Sequence, residues 1–348
     1  MLRPLPLMMA ESPRVSVIAT VLNEAGTIEN LLSGFFQQTL HGAELVVVDG
    51  GSSDGTWERL QQFAARNSRL RIIRDESCNL RSSPGPIARG RNRAIEEATG
   101  TVIACADAGC EYAPEWADKL TSPIISGEAE YTLGGSYIDP EQATIWDIAA
   151  APFLGVKLHS QGIRKSCTTR SMGMSKNLWK RVGGFPEINL FGEDTLFDLR
   201  ARELTIPVFP QGAMARYNPR FTLRSAIERL ALYAHSDGVL GVRRMRLVRN
   251  LLRCALQLAA LIALPWTRLP LILVALLEIF FAFEHDVRGA FSRRALKSAP
   301  ARFLFSLIAP WVVAFSHIAG SISRHNRPNP QTPEHGGADP VIIKPGCS

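Results

Sequence analysis

Acids in this chain stand where apolar runs end and where a helix begins. In VIACADAGCEY (102–112) five apolar residues lead to Asp107, with Ala108 and Gly109 behind it. In VVVDGGSSDGT (46–56) a second apolar run delivers Asp49 to Gly50 and Gly51, residues that let a backbone turn sharply. A carboxylate placed there can accept a hydrogen bond from the imide N–H of uracil or from the Watson–Crick edge of guanine. In ATVLNEAGT (19–27), Asn23 and Glu24 lie between a strand-like run and a helix-like one. They suit a base or a ribose, and equally a turn and a cap. In GGFPEINLFGEDTLFDLRARE (183–203), Glu193 and Asp194 open a helix, where acids also stabilise the positive end of the helix dipole.

Strands and helices that alternate must position these groups. VSVIAT (15–20), AELVVVD (43–49), LRIIR (70–74) and TVIACA (101–106) read as buried strands. TIENLLSGFFQQ (27–38) carries Ile28, Leu31, Leu32, Phe35 and Phe36 at helical spacing, and TWERLQQFAAR (56–66) is a second amphipathic helix. GPIARGRNRAIEEATG (85–100) is a loop and then a helix stopped by Gly100. The fold class expected is α/β, a mostly parallel sheet flanked by helices. Ligands of such sheets sit beyond the carboxyl ends of the strands, where Asp49 and Asp107 fall. Residues 121–220 are more irregular, and 222–240 read as a helix.

The composition then shifts. GVRRMRLVRNLLRC (241–254) holds five arginines and no acid. Residues 255–283 are apolar apart from Gln257, Thr267, Arg268 and Glu278, with Pro265 and Pro270 near the middle. A span needs about 20 residues, so this length suggests a helical hairpin with its tip near 265–270. FLFSLIAPWVVAFSHIAG (303–320) is a further span or an interfacial helix. Arg288, Arg293, Arg294, Lys297 and Arg302 continue the basic flank, which places both flanks on the cytoplasmic side. The formal charge of +7 therefore points to an anionic membrane and argues against nucleic acid. Cysteines 78, 105, 110, 167, 254 and 347 form no Cys-x-x-Cys pair and read as reduced thiols. Residues 1–13 read as a tail, 14–240 as a catalytic domain, 241–320 as a basic amphipathic helix with membrane-associated helices, and 321–348 as a disordered tail.

VSVIATVLNEAGTIENLL, AELVVVDGGSSDGTWERL and the later ED segment, in this order, resemble the inverting glycosyltransferases of family 2. The order of motifs is most similar to bacterial exopolysaccharide glucosyltransferases of the succinoglycan type. The resemblance covers roughly 14–240 and implies the glycosyltransferase-A fold. It implies that Asp49 reads the nucleobase, that Asn23 and Glu24 pack around base and ribose, and that Arg89 and Asn92 lie near the pyrophosphate. It implies that Asp107 holds the ribose and a divalent cation, manganese or magnesium, and that Asp194 deprotonates the acceptor hydroxyl. Gly109 stands where the family's second metal-binding acid would be, so the cation is expected to bind weakly, with Glu111 as a second candidate ligand. Arg170, Ser171, Arg229, Tyr233 and His235 are weaker candidates for the sugar, diphosphate or acceptor.

The expected activity is transfer of a sugar, with inversion, from a nucleotide-diphosphate donor, UDP by family habit, to a hydroxyl of a lipid-linked or saccharide acceptor. The location implied is the inner membrane, with the catalytic domain in the cytoplasm. Gly109 leaves a second reading open: a membrane protein on the same fold that binds but does not transfer.

Overall fold

The computed structural model describes residues 14–158, 167–188, 191–283 and 297–325. The tail 1–13, Arg288, Arg293 and Arg294, and the tail beyond 325 lie outside them. The elements run β1 (Val15–Val21), α1 (Ile28–Phe36), β2 (Glu44–Asp49), α2 (Thr56–Ala64), β3 (Leu70–Arg74), α3 (Pro86–Glu97) and β4 (Val102–Cys105). Next come β5 (Cys110–Tyr112), α4 (Trp116–Ile125), β6 (Tyr131–Leu133), β7 (Ser136–Tyr137), α5 (Ile145–Leu154), β8 (Met172–Ser175) and α6 (Lys176–Val182). The chain ends with α7 (Glu193–Leu204), β9 (Ala215–Tyr217), α8 (Leu223–Leu240), α9 (Arg244–Ala263), α10 (Leu269–Phe283) and α11 (Ala299–His325).

The main sheet has the order β3-β2-β1-β4-β8-β6. β1 runs parallel to β2 and β4, and β2 parallel to β3, while β8 runs antiparallel to β4 and β6. The α/β class with a mostly parallel sheet is as expected, and β8, running against the other five strands, makes the sheet a mixed one. β6 and β8 escaped the sequence pattern because YTL and MGMS are too short to show a period. β5, β9 and β7 form a second small sheet beside it.

Alternate residues of β1 feed two cores, as the two-residue repeat of a strand requires. Val15, Val17, Ala19 and Val21 face α1 and α4, whereas Ile18 joins Val46, Val48 and the buried side of α3. The stripe Ile28, Leu31, Leu32 and Phe35 closes the first face. Truncating the fully buried Ile18 to alanine would cost about 2–5 kcal/mol.

The C-terminal helices are packed into this domain. α8 and α11 share an apolar cluster with α5, including Leu230, Phe305 and Val313. They approach so closely that a Cβ on Gly238 would lie 2.1 Å from the His317 carbonyl oxygen, and one on Gly320 2.0 Å from that of His235. α8 thus sits on the expected boundary at 240 and contacts both sides of it. α9 and α10 are joined by a turn at 264–268, where the hairpin tip was expected. Of the polar exceptions in the apolar run, Gln257 and Glu278 point inward and Thr267 and Arg268 are exposed: Glu278 pairs with Arg253, and Gln257 donates to Glu278 Oε1 at 2.9 Å. The outer faces expose Leu252, Leu256, Ile262, Trp266, Leu273 and Phe280. Among the described residues one helix, Ala299–Arg324, is long and apolar enough to cross a membrane. It extends past both ends of the expected 303–320 segment.

Candidate active site

The carboxyl ends of the adjacent strands β2, β1 and β4 carry the candidate acids. Asp49, fully buried, accepts the Gly51 and Ser52 backbone N–H groups on Oδ1, both at 2.7 Å. Its Oδ2 is buried without a hydrogen-bond partner, an orphan acceptor at the mouth of the sheet. Asn23 sits in left-handed backbone with φ +56° and accepts the Ser53 N–H at 2.9 Å. The backbone N–H groups of Asn23 and Glu24 donate to Ser52 Oγ and Thr56 Oγ1, both at 2.8 Å. The loops after β1 and β2 are therefore laced into one wall.

Asp107 follows β4. Its backbone N–H donates to the Tyr112 hydroxyl at 2.8 Å, and that hydroxyl donates to the Arg170 carbonyl at 3.1 Å. Asp107 Oδ1 accepts from Arg91 at 3.0 Å. The other terminal nitrogen of Arg91 bonds Glu193, so one buried guanidinium joins the end of β4 to the first residue of α7. Burial opposes the charge of Arg91, but Asp107 and Glu193 more than offset it and hold the guanidinium protonated. Burial pushes the Glu193 carboxyl up to about 7; Arg91 pulls against that rise and Asp194 adds to it.

Asp194 opens α7 beside Glu193, and its Oδ1 accepts the Thr195 N–H at 2.6 Å. Arg91, Asp107, Glu193 and Asp194 face one cavity of about 630 Å³. The cavity continues past Arg170, Arg229 and Tyr233 to Arg246, Arg249 and Arg253 on α9, and so reaches from the sheet to the apolar helices. Asp237 of α8, buried, pairs with Arg243 and Arg246 at 2.9 Å each and anchors that far wall.

Some expected residues lie elsewhere. Arg89 is half-exposed and nearest Glu187, 3.9 Å away, outside the cavity. Asn92 donates to the Phe185 carbonyl at 2.8 Å and accepts the Phe185 N–H at 2.8 Å, pinning the loop before α7. The arginine of α3 that enters the cavity is Arg91. Its spacing of three and four residues from Ala88, Ala94 and Ile95, which puts it on the helix's apolar face, was the signal available in the sequence. Ser171 is a support, accepting from Trp116 Nε1 at 2.8 Å. His235 does not line the cavity, whereas Arg170, Arg229 and Tyr233 do. Glu193 and Asp237 are the acids that the spacing alone did not assign to the cavity.

The donor set for a divalent cation is poor. Asp107 has Arg91 on one oxygen and Arg170 Nε 4.0 Å from the other. Glu111 turns to the small sheet, where Arg216 and Asn218 hold its two oxygens. No group of three His, Cys, Asp or Glu side chains suited to a metal occurs among the described residues. Hard divalent ions want several oxygen ligands, so these residues do not by themselves build a site for one.

This chain is similar to several known proteins. Residues 16–177 match the family model described as Glycosyl transferase family 2. The chain is 30% identical over 201 residues to the glycosyltransferase AglE of Haloferax volcanii, covering 55% of this chain and 62% of that protein. It is 32% identical over 135 residues to a dolichol-phosphate mannosyltransferase of Pyrococcus furiosus, covering 38% of this chain and 36% of that one. The chain thus spans less than two thirds of either relative. Among solved structures, the mannosyltransferase PcManGT of Pyrobaculum calidifontis, in complex with GDP-Man and Mn2+, superposes with a TM-score of 0.48 at 19% identity, over 90% of this chain and 87% of that one. S. aureus TarS 1-349 in complex with UDP gives 0.47 at 16% identity, over 90% and 91%. The fold is glycosyltransferase-A-like, a mixed sheet flanked by helices.

Proposed function

We propose that this chain transfers a sugar, with inversion, from a nucleotide-diphosphate donor to a hydroxyl of a lipid-linked or saccharide acceptor at a membrane. One observation carries this: Asp107 at the end of β4 and Asp194 at the start of α7 face the same cavity, with Arg91 between them. The base of the donor would lie against the laced loops of Asn23, Glu24 and Asp49, and the orphan Oδ2 of Asp49 suits the imide N–H of a uracil. The diphosphate would then reach Asp107 and the arginines.

In the transfer, the acceptor oxygen forms its bond to the anomeric carbon as the bond to the diphosphate oxygen breaks. The electron pair leaves with the diphosphate. Asp194 takes the acceptor proton, a role for one carboxylate placed opposite the leaving group. Arg91 and its neighbours stabilise the charge that develops there. A divalent cation, manganese or magnesium, would reach this chain's residues only through Asp107.

α9, α10 and α11 would seat the protein on or in the inner membrane, with the catalytic domain on the cytoplasmic side. The contiguous apolar outer face and the basic residues of α9 support this. The cavity ends at α9, so a membrane-held acceptor would enter from the helices. Calorimetric titration of the detergent-solubilised protein with UDP, UDP-glucose and GDP tests the donor site. Binding that disappears in Asp107→Ala supports it. Absence of binding to every nucleotide would remove the donor site, whereas binding without turnover would favour the non-transferring alternative.

A further inference from the structure

We infer that Arg91 and Arg170 together take the place of a divalent cation at the donor's diphosphate, so that donor binding and transfer by this chain need no added metal. This rests on the nucleotide-sugar reading above and names the groups that would hold its leaving group.

A departing diphosphate gains negative charge as its bond to the sugar breaks, and a site must meet that charge. A divalent cation does so when several oxygens hold it in place. Here one carboxylate, Asp107, stands at the strand end, with a glycine two residues on. That carboxylate is already shared between two guanidiniums. Arg91 bonds Oδ1 at 3.0 Å, and Arg170 Nε lies 4.0 Å from Oδ2. A dication brought to this carboxylate would be repelled by both arginines. A diphosphate would be attracted by both.

Arg170 has a donor to spare. Its Nε is buried and has no hydrogen-bond partner, although the residue lines the cavity. A buried N–H left unmade is costly, and a ligand oxygen is the natural remedy. The guanidinium is also held in place. It stacks 4.0 Å over the Tyr217 ring, and its Nη2 donates to the Tyr233 hydroxyl at 3.3 Å. Through Tyr112 its backbone carbonyl is tied to the N–H of Asp107. Arg91 is fixed just as firmly between Asp107 and Glu193. Two planar forks fixed beside one acid form a preorganised cationic cradle, and guanidinium geometry matches paired phosphate oxygens. The position of Gly109 is meanwhile unobstructed: a Cβ there would meet nothing within 4 Å, and its φ is not positive. A second acid would fit, and the chain carries none.

The test is calorimetric titration of the full-length protein with UDP and GDP, in excess EDTA and again in excess manganese, with sugar transfer followed under both conditions. The expected result is equal affinity and equal turnover with and without the metal. Arg170→Gln should weaken diphosphate binding by about 10–100-fold, the range for losing a hydrogen bond to a charged group. Its melting profile should stay that of the wild type, and Arg170→Lys should recover part of the loss. Gly109→Asp combined with Arg170→Gln should bind the diphosphate again only when manganese is present. Wild-type binding that EDTA abolishes and manganese restores would overturn the inference while leaving the donor site standing. So would an Arg170→Gln variant with unchanged affinity. Failure of both nucleotides to bind under either condition would instead remove the donor site itself, and this inference with it.

Discussion

Arg91 and Glu193 stand 102 positions apart and meet as a buried ion pair inside the cavity. The pair ties α3 to α7, and the second arm of Arg91 reaches Asp107. The side of the site that would hold the donor and the side that would accept the proton are thus joined by one guanidinium. Removing it strands two carboxylates, one of them buried. Arg91→Met should lower unfolding stability by about 3–5 kcal/mol, the usual cost of leaving a buried charge unpaired. Urea unfolding in detergent measures it, and an unchanged midpoint would show that the pair does not hold the helices together.

The Glu193 carboxyl is pushed up to about 7 by its burial, against an ordinary value near 4.5. The folded chain therefore keeps this proton more tightly than the unfolded one. Between about pH 4.5 and pH 7 the folded state binds more protons, so this group's contribution to stability falls as pH rises through that window. Above pH 7 the penalty is constant. Glu193→Gln should flatten that part of the stability profile relative to wild type. The check is unfolding free energy at pH 5, 6, 7 and 8 for both proteins; parallel profiles would contradict it.

Asp49 uses Oδ1 for the Gly51 and Ser52 amides and leaves Oδ2 unpaired. Asp49→Asn can keep the two amide bonds through its remaining oxygen, so the turn survives. It puts an NH2 group where a uracil imide N–H would need an acceptor. Affinity for UDP should fall by about 10–100-fold, as expected for losing a hydrogen bond to a charged acceptor. Unchanged affinity in calorimetry would place the base elsewhere.

The α9 surface mixes Arg244 with exposed Met245, Val248 and Leu252. Each basic residue near an anionic surface contributes about 1 kcal/mol to attachment, so the charge reversal Arg244→Glu should reduce partition to anionic vesicles by tenfold or more. Co-sedimentation with anionic and neutral vesicles reads this. Equal binding to both vesicle types would mean that charge plays no part.

Much of the scaffold was legible because its signals are local. The apolar runs of β1, β2 and β4 announce buried strands, and the Ile28–Phe35 stripe announces the helix between the first two. The acids at strand ends followed from the same runs. β6 and β8 give no such signal, since they are three and four residues long and are held by pairing across sequence. The choice between Arg89 and Arg91 could not be made from family position; it depends on which turn of α3 faces α7. Glu193 looked like a helix opener, and only its meeting with Arg91 shows why it is buried. No local pattern marks Asp237 in α8; its role comes from two arginines further along the chain, Arg243 just before α9 and Arg246 within it.

Sugar transfer in the cavity that Asp107 and Asp194 share has a direct test. The direct measurement is release of nucleoside diphosphate from UDP-glucose, with membrane lipid extract as acceptor, by wild type and by Asp194→Asn, alongside UDP binding to both. The expected result is turnover by the wild type, a loss of about 10²–10⁴-fold in the variant, as for removal of a general base, and UDP affinity nearly unchanged. Equal turnover by the two proteins would contradict it.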